Sequence, residues 1–140
     1  MPAWRGRALD TTYFLRRPDG VWEIATENGE VVAHIEKEAL AGYVDICKSV
    51  GDELWVTGWA ADVSAGQPAE WVVFFVGERA VGFAAPDHAR PDVADALDNP
   101  GLERTGFEAT LHSRPGSDET LRVVAVRGDI GTELQFSSGA

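Results

Sequence analysis

Short stretches in which apolar and polar residues alternate run along most of this chain, and turn-forming residues separate them. A period of two places successive side chains on opposite faces of a β-strand. The turn signals recur at intervals of roughly 8–12 residues and divide the chain into about nine short strands, a spacing typical of antiparallel sandwiches and barrels. The pattern therefore predicts an all-β protein.

Three pairs of these strands are predicted to be hairpins, because each pair encloses a two-residue turn. The turns are Asn28-Gly29, Gly51-Asp52 and Gly128-Asp129. Asn-Gly is the strongest of these signals, since both residues tolerate a positive φ. The segment from Trp71 to Val76 is apolar at every position, which predicts a central strand buried on both faces.

Helical signals are few and short. A short helix is predicted near residues 91–98, entered through Pro91 and ended by Asn99-Pro100-Gly101. Residues 36–41 could form one further helical turn, with Gly42 as its stop. Neither segment is long enough to connect two parallel strands, which again favours an antiparallel fold.

An ordered set of short motifs carries a resemblance to a known family. The set comprises Gly42-Tyr43-Val44-Asp45, Gly58-Trp59-Ala60, Arg90-Pro91-Asp92-Val93, Gly106-Phe107 and Leu121-Arg122-Val123. It resembles the Ig-like β-sandwich module that is attached to bacterial glycosyltransferases and other surface-polysaccharide proteins. The resemblance implies an antiparallel Ig-like β-sandwich over residues 42–136 and a non-catalytic accessory role. Residues 11–41 would then be an N-terminal hairpin extension, with tails at 1–10 and 137–140.

Most of the motif residues have a structural interpretation. Trp59 and Phe107 are expected to fill one core, because large aromatic side chains bury much apolar surface. Gly58 would let a ring or a facing strand approach closely. Arg90 and Asp92 flank Pro91 and are expected to tie the connecting loop down through a guanidinium–carboxylate bond or a bond to the backbone.

Charge and cysteine content narrow the possible partners. The 140 residues carry a net charge of −11, which argues against a nucleic-acid partner, since duplex binding needs a basic face. The first 17 residues are an exception, with Arg5, Arg7, Arg16 and Arg17 against a single aspartate, and could form a basic docking arm. Cys47 is the only cysteine, so neither an internal disulfide nor a cysteine-rich zinc site is expected.

Targeting and membrane signals are weak. The longest apolar run, Trp71 to Val76, is far shorter than the ~20 residues of a spanning helix, so no membrane insertion is expected. The N-terminus lacks a continuous apolar stretch of the kind found in signal peptides. Localisation is therefore unknown, with the cytoplasm as the default.

The candidate binding residues are Trp55 and Trp71, together with Arg90 and Asp92. Carbohydrate sites combine an aromatic surface with hydrogen-bonding side chains, and the acidic surface tolerates a neutral glycan better than an anionic one. No catalytic residue, cofactor or metal is predicted. Four aspartates between residues 87 and 98 lie close in sequence but match no EF-hand register.

Three alternatives remain open. A structural docking domain would bind a partner protein through an exposed strand edge or through the arm that contains Arg5 and Arg17. A glycosidase-like enzyme would need two carboxylates across a cleft, and the 23 acidic residues single out no pair. Gly20-Val21-Trp22 resembles the Gly-x-Trp start of lipocalins, which would imply a barrel for a hydrophobic ligand.

Overall fold

The computed structural model describes residues 12–113, 115–116 and 118–137, and β-strands make up most of them. The predicted all-β class is confirmed. Helix α1 spans Pro91–Ala96, inside the predicted range, and a 3₁₀ turn follows at Pro100–Leu102. The helical turn predicted at residues 36–41 is wrong: residues 37–40 form a non-helical turn before the strand that begins at Ala41, and Glu38 adopts a φ of 61°, a conformation that ends helices.

Seven of the twelve described strands close into a barrel. The strands are β1 (Thr12–Arg16), β2 (Trp22–Thr26), β3 (Val31–Ile35), β7 (Trp71–Val76), β8 (Arg79–Ala84), β10 (Leu121–Arg127) and β11 (Ile130–Glu133). Around the barrel the order is β1-β2-β3-β11-β10-β7-β8, with β1 hydrogen-bonded to β8 to complete the ring.

A second sheet of five strands packs against the outside of the barrel. Its strands are β4 (Ala41–Val50), β5 (Glu53–Asp62), β6 (Gln67–Pro68), β9 (Gly106–Leu111) and β12 (Gln135–Phe136). Their order is β12-β4-β5-β6, and β9 pairs with β5 on the same side as β6. We call this the five-stranded sheet.

Two cores lie on opposite sides of the same pair of strands, β7 and β10. Phe75 and Val124 point into the barrel, where they pack with Phe14 and Ile24. Alternate residues of the same strands, among them Phe74, point the other way and pack against the five-stranded sheet. The sequence predicted that residues 71–76 would be buried on both faces, and the structure confirms it.

The Ig-like sandwich expected from the resemblance is not what the structure shows. Strands β1–β3, interpreted from sequence as a hairpin extension, are members of the closed barrel. Tyr13 pairs with Arg79 on one side of this group, and Ile130 pairs with His34 on the other. These pairings join segments far apart in the chain, so no local turn signal could reveal them. Two of the pairings, β11 with β3 and β12 with β4, are parallel rather than antiparallel.

The local pairings follow the turn chemistry. Strands β2 and β3, β4 and β5, and β10 and β11 are antiparallel neighbours around the three predicted turns. Gly29 has a φ of 84°, the conformation for which glycine was expected there. Among the described residues, no helix has the length and hydrophobicity to cross a bilayer.

Candidate binding face

One face of the five-stranded sheet packs on the barrel, and we call the other its outer face. Strand alternation and register assign side chains to it. Residues facing the barrel, such as Val56, are buried, whereas the residues that alternate with them are half-buried or exposed. The outer face carries Tyr43, Asp45, Ile46 and Lys48 from β4, Trp55, Thr57 and Trp59 from β5, and Glu108 and Thr110 from β9.

Trp55 lies in the middle of the open part of this face. It is half-buried and stands between Lys48 of β4 and Thr110 of β9. Its indole Nε1 donates a hydrogen bond to Glu108 Oε2 at 3.0 Å. This bond satisfies the polar edge of the indole and fixes the ring against the sheet, so that the ring offers a preorganised apolar surface.

Trp59 occupies the covered end of the outer face. Its ring lies 6.2 Å from that of Tyr43 and packs beside buried Val93 of α1 and Leu102 of the 3₁₀ turn. Ala61, two residues further along β5, is completely buried beneath the same segment. The helix and the 3₁₀ turn therefore close the outer face beyond Trp59.

The expectation that Trp59 and Phe107 share a core is wrong, because the two rings lie on opposite faces of the sheet. Phe107 is 2% exposed and packs edge-on to Phe74 in the core facing the barrel. Gly58 makes room for the Phe107 ring: a Cβ at this position would lie 2.7 Å from Phe107 Cζ. The glycine does permit close approach, but of Phe107 rather than of Trp59.

The side chain of Arg90 crosses the outer face. Its side chain packs over Gly106 of β9, where a Cβ would lie 2.8 Å from Arg90 Cγ. Its guanidinium Nη1 donates to Asp45 Oδ2 of β4 at 2.7 Å. Since β5 lies between β9 and β4, the side chain passes over β5 to make this contact.

The Arg90 guanidinium also binds Asp92, the carboxylate with which the sequence analysis paired it. Arg90 Nε and Nη2 donate to Asp92 Oδ1 and Oδ2 at 2.9 and 2.8 Å, a bidentate pair that holds the start of α1. We call Arg90, Asp92 and Asp45 together the strap. The hydrogen bond to Asp92, with that to Asp45, outweighs desolvation and raises the pKa of Arg90. The hydrogen bond from Arg90 lowers the pKa of the Asp92 carboxyl.

The structure thus places three of the four predicted binding residues on one face. Trp55 lies on the open part of the outer face, and Arg90 and Asp92 border it. Trp71 does not: it belongs to β7, packs beside the barrel core, and its ring meets that of Phe83 edge-on at 5.4 Å. Arg5 and Arg7 of the basic arm, and the predicted N-terminal tail, lie outside the described residues, whereas Arg17 is paired with Asp19 at 3.0 Å.

Sequence reasoning missed Glu108 and Asp45. Glu108 directly follows the Gly106-Phe107 motif, and only the pairing of β9 with β5 shows that it faces outward beside Trp55. Asp45 lies at an irregularity in β4, between Val44 and Ile46, which interrupts the alternation. A bulge of this kind has no dependable sequence signal here.

The barrel interior offers a contrasting environment, because it is filled by its own side chains. Trp22 stacks on Phe14 with ring centroids 4.8 Å apart, and the Arg122 guanidinium lies 4.8 Å above the Trp22 ring. A surface depression of about 200 Å³ adjoins these side chains at the barrel end. The described residues contain no group of three or more histidine, cysteine or acidic side chains arranged to hold a metal ion.

Comparison with protein-family models, with curated proteins and with solved structures finds no match for this chain. The outer face is therefore interpreted from its own chemistry.

Proposed function

We propose that this protein is a non-catalytic binding module that takes a neutral glycan on the open part of the outer face. The observation that carries the proposal is Trp55, a half-exposed indole on a sheet, held by Glu108 and bordered by Thr57, Thr110 and Lys48.

The side chains around Trp55 suit the two kinds of surface on a sugar ring. The apolar C–H face of a pyranose can stack on an indole, which combines an apolar body with a satisfied polar edge. The sugar hydroxyls need donors and acceptors around that platform, and Glu108, Thr57, Thr110 and Lys48 supply both. A few polar groups around an apolar surface are the usual composition of a small-ligand site.

The charge of the molecule favours a neutral ligand. Its net charge of −11 repels anionic polysaccharides at long range. On the outer face itself, Glu108 and the two carboxylates of the strap outnumber the cations Arg90 and Lys48. An uncharged glycan meets no such repulsion.

The test is a glycan array that includes neutral oligosaccharides, followed by titration of each hit against the protein's intrinsic tryptophan fluorescence. Wild type should bind at least one neutral glycan, and Trp55→Ala should lose at least tenfold in affinity while keeping its circular dichroism spectrum. Phe136→Ala is the matched control, since it removes a 40% exposed aromatic ring from β12 of the same sheet. A blank array, or full affinity in Trp55→Ala, would overturn the proposal.

A second candidate function is protein docking at the free edge of β4. Strand β12 pairs with β4 only at Tyr43 and Val44, so among the described strands residues 46–50 pair on one side alone, with β5. Ile46 and Val50 are 39% and 55% exposed along this edge. An open, partly apolar edge is a template for strand addition. Val50→Asp should abolish such docking, whereas Trp55→Ala should abolish glycan binding and leave docking at this edge unchanged.

A further inference from the structure

We infer that the outer face holds the terminal residue of a glycan chain: the terminal sugar stacks on Trp55 against the strap, and the rest of the chain leads away along β5 towards the Gly51-Asp52 turn. This inference rests on the proposed function and adds which part of the glycan is recognised and in which direction it runs.

The first argument is that one end of the face is closed. Helix α1 and the 3₁₀ turn cover β5 at Ala61 and pack beside Trp59. The Arg90 side chain then passes from Gly106 to Asp45 across β5, between that covered end and Trp55. A chain lying along β5 on Trp55 therefore meets the strap and cannot continue past it.

The second argument is that the opposite end is open. Beyond Trp55, β5 begins at Glu53 and is joined to β4 by the exposed Gly51-Asp52 turn. Val50 is 55% exposed, and the side chain of His112, paired with Glu53 at 2.7 Å, is 83% exposed. None of the described segments covers this end, so a chain has room to leave in this direction.

The third argument is the distribution of polar groups. The strap brings one guanidinium and two carboxylates to the closed end, with Thr57 and Glu108 nearby. Each carboxylate oxygen can accept more than one hydrogen bond, so its contact with Arg90 leaves capacity for a hydroxyl. A terminal sugar has one more free hydroxyl than an internal one, and this end of the face has the groups to bind it.

Trp59 does not provide a second platform for a longer chain. Four residues along a strand separate it from Trp55 by about 13 Å. It lies towards the covered end of the face, packed beside Tyr43 and Val93. On the open side of the strap, Trp55 is thus the one tryptophan of the face, which suits a single sugar residue at a chain end.

The experiment compares the affinity for a hexasaccharide with the affinity for the long polymer of the same linkage. The glycans are linear β-1,3-glucan, β-1,4-glucan, β-1,4-mannan and β-1,4-xylan, together with any other neutral linkage that the array selects. At equal sugar mass, the polymer has far fewer chain ends. A protein that binds ends should bind the polymer more weakly in proportion to chain length, and its affinity for oligosaccharides should stop rising after two or three units. Blocking the terminal residue of the hexasaccharide should reduce affinity at least tenfold.

The outcomes separate the two proposals. No binding to any glycan would overturn the proposed function itself. Binding whose affinity per sugar unit is independent of chain length, or that survives a blocked terminus, would leave the proposed function standing and overturn the inference. Arg90→Ala provides a further test: removing the strap should erase the preference for ends, and Arg90→Lys, which keeps the charge but loses the bidentate fork, should reduce it.

Discussion

Gly58 shows how a single residue sets the spacing of this sheet. Its missing side chain leaves room for the Phe107 ring on the barrel-facing side, and the backbone of Tyr43 in β4 also crowds the position that a Cβ would take. The Phe107 ring cannot move aside freely, because it packs against Phe74 in the core. The glycine is therefore required by packing, although its backbone conformation is open to other residues.

We expect Gly58→Ala to lower the free energy of unfolding by roughly 1–3 kcal/mol, the usual cost of overpacking a filled core. Denaturant unfolding followed by fluorescence measures this loss. Gly51→Ala is an informative comparison, because nothing lies within 4 Å of a Cβ there and its cost arises from a φ of 62° alone. A Gly58→Ala protein as stable as wild type would show that β4 and β9 can separate to admit the methyl group.

Asp92 should make the free energy of unfolding depend on pH in acidic solution. Its pKa in the folded protein is lowered by Arg90, so the strap stabilises the fold above the ordinary aspartate pKa, about 3.9, and this contribution is lost as the pH falls through the lowered value. Because its side chain is 65% exposed, the contribution should not exceed ~1 kcal/mol.

We therefore expect Asp92→Asn to be less stable than wild type at pH 7, with the difference disappearing in strongly acidic solution. Urea unfolding at a series of pH values checks this. Asp95→Asn, a change at an exposed acid on the same helix, should show no such convergence. A constant difference at every pH would mean that Asp92 acts through something other than its charge.

At the scale of elements, α1 depends on its anchors more than on its own length. Six residues are too few for a helix to be stable alone in water. Its N-cap, Arg90, makes no capping bond with its side chain, which is used in the strap instead. Val93 is the one buried residue of the helix, and it packs beside Leu102 of the 3₁₀ turn.

Arg90→Ala should consequently loosen α1 while leaving the barrel intact. We expect backbone amides of residues 93–99 to exchange hydrogen markedly faster than in wild type, and those of β7 and β10 to be unchanged. Hydrogen exchange with mass spectrometry measures both in one experiment. Equal protection of residues 93–99 in the variant would show that Val93 and Leu102 alone hold the segment.

Elements were predictable from sequence where a local signal defines them. Asn28-Gly29 and Gly51-Asp52 marked hairpins because two-residue turns have strict backbone requirements. Pro91 marked the start of α1. The helical turn predicted at residues 36–41 was wrong, because a few helix-forming residues predict such a turn whether or not tertiary contacts support it. In the structure, the Leu40 amide donates to the Thr132 hydroxyl, a contact 92 residues away that no local pattern could show.

At the scale of the whole molecule, the closing contacts are non-local and so were beyond sequence reasoning. The barrel closes where Tyr13 of β1 pairs with Arg79 of β8. Strand β3 meets β11 where His34 pairs with Ile130. The candidate site was predictable in part: Trp55, Arg90 and Asp92 stood out in the sequence as an aromatic residue and an oppositely charged pair beside Pro91. Glu108 and Asp45 became visible only once β9, β5 and β4 were known to be adjacent.

The two cores should unfold together, because β7 and β10 belong to both. Phe74→Ala empties space on the side of the five-stranded sheet, and Phe75→Ala does so inside the barrel. Each should cost roughly 3–5 kcal/mol. Either variant should still give one unfolding transition, with tryptophan fluorescence and far-ultraviolet circular dichroism changing together. Separate transitions would show that one sheet is stable without the other.

The two-sided burial of β7 has a consequence for how the strand finds its register. In a strand with one wet face, a shift by one residue exposes the apolar side chains to water and is strongly disfavoured. In β7 such a shift would exchange Phe74 with Phe75 and leave apolar groups buried on both sides. Hydrophobicity alone therefore does not choose the alignment. The alignment is instead determined by the shapes of the two cores and by the tight turn at Gly77, whose φ of 61° fixes where β8 begins.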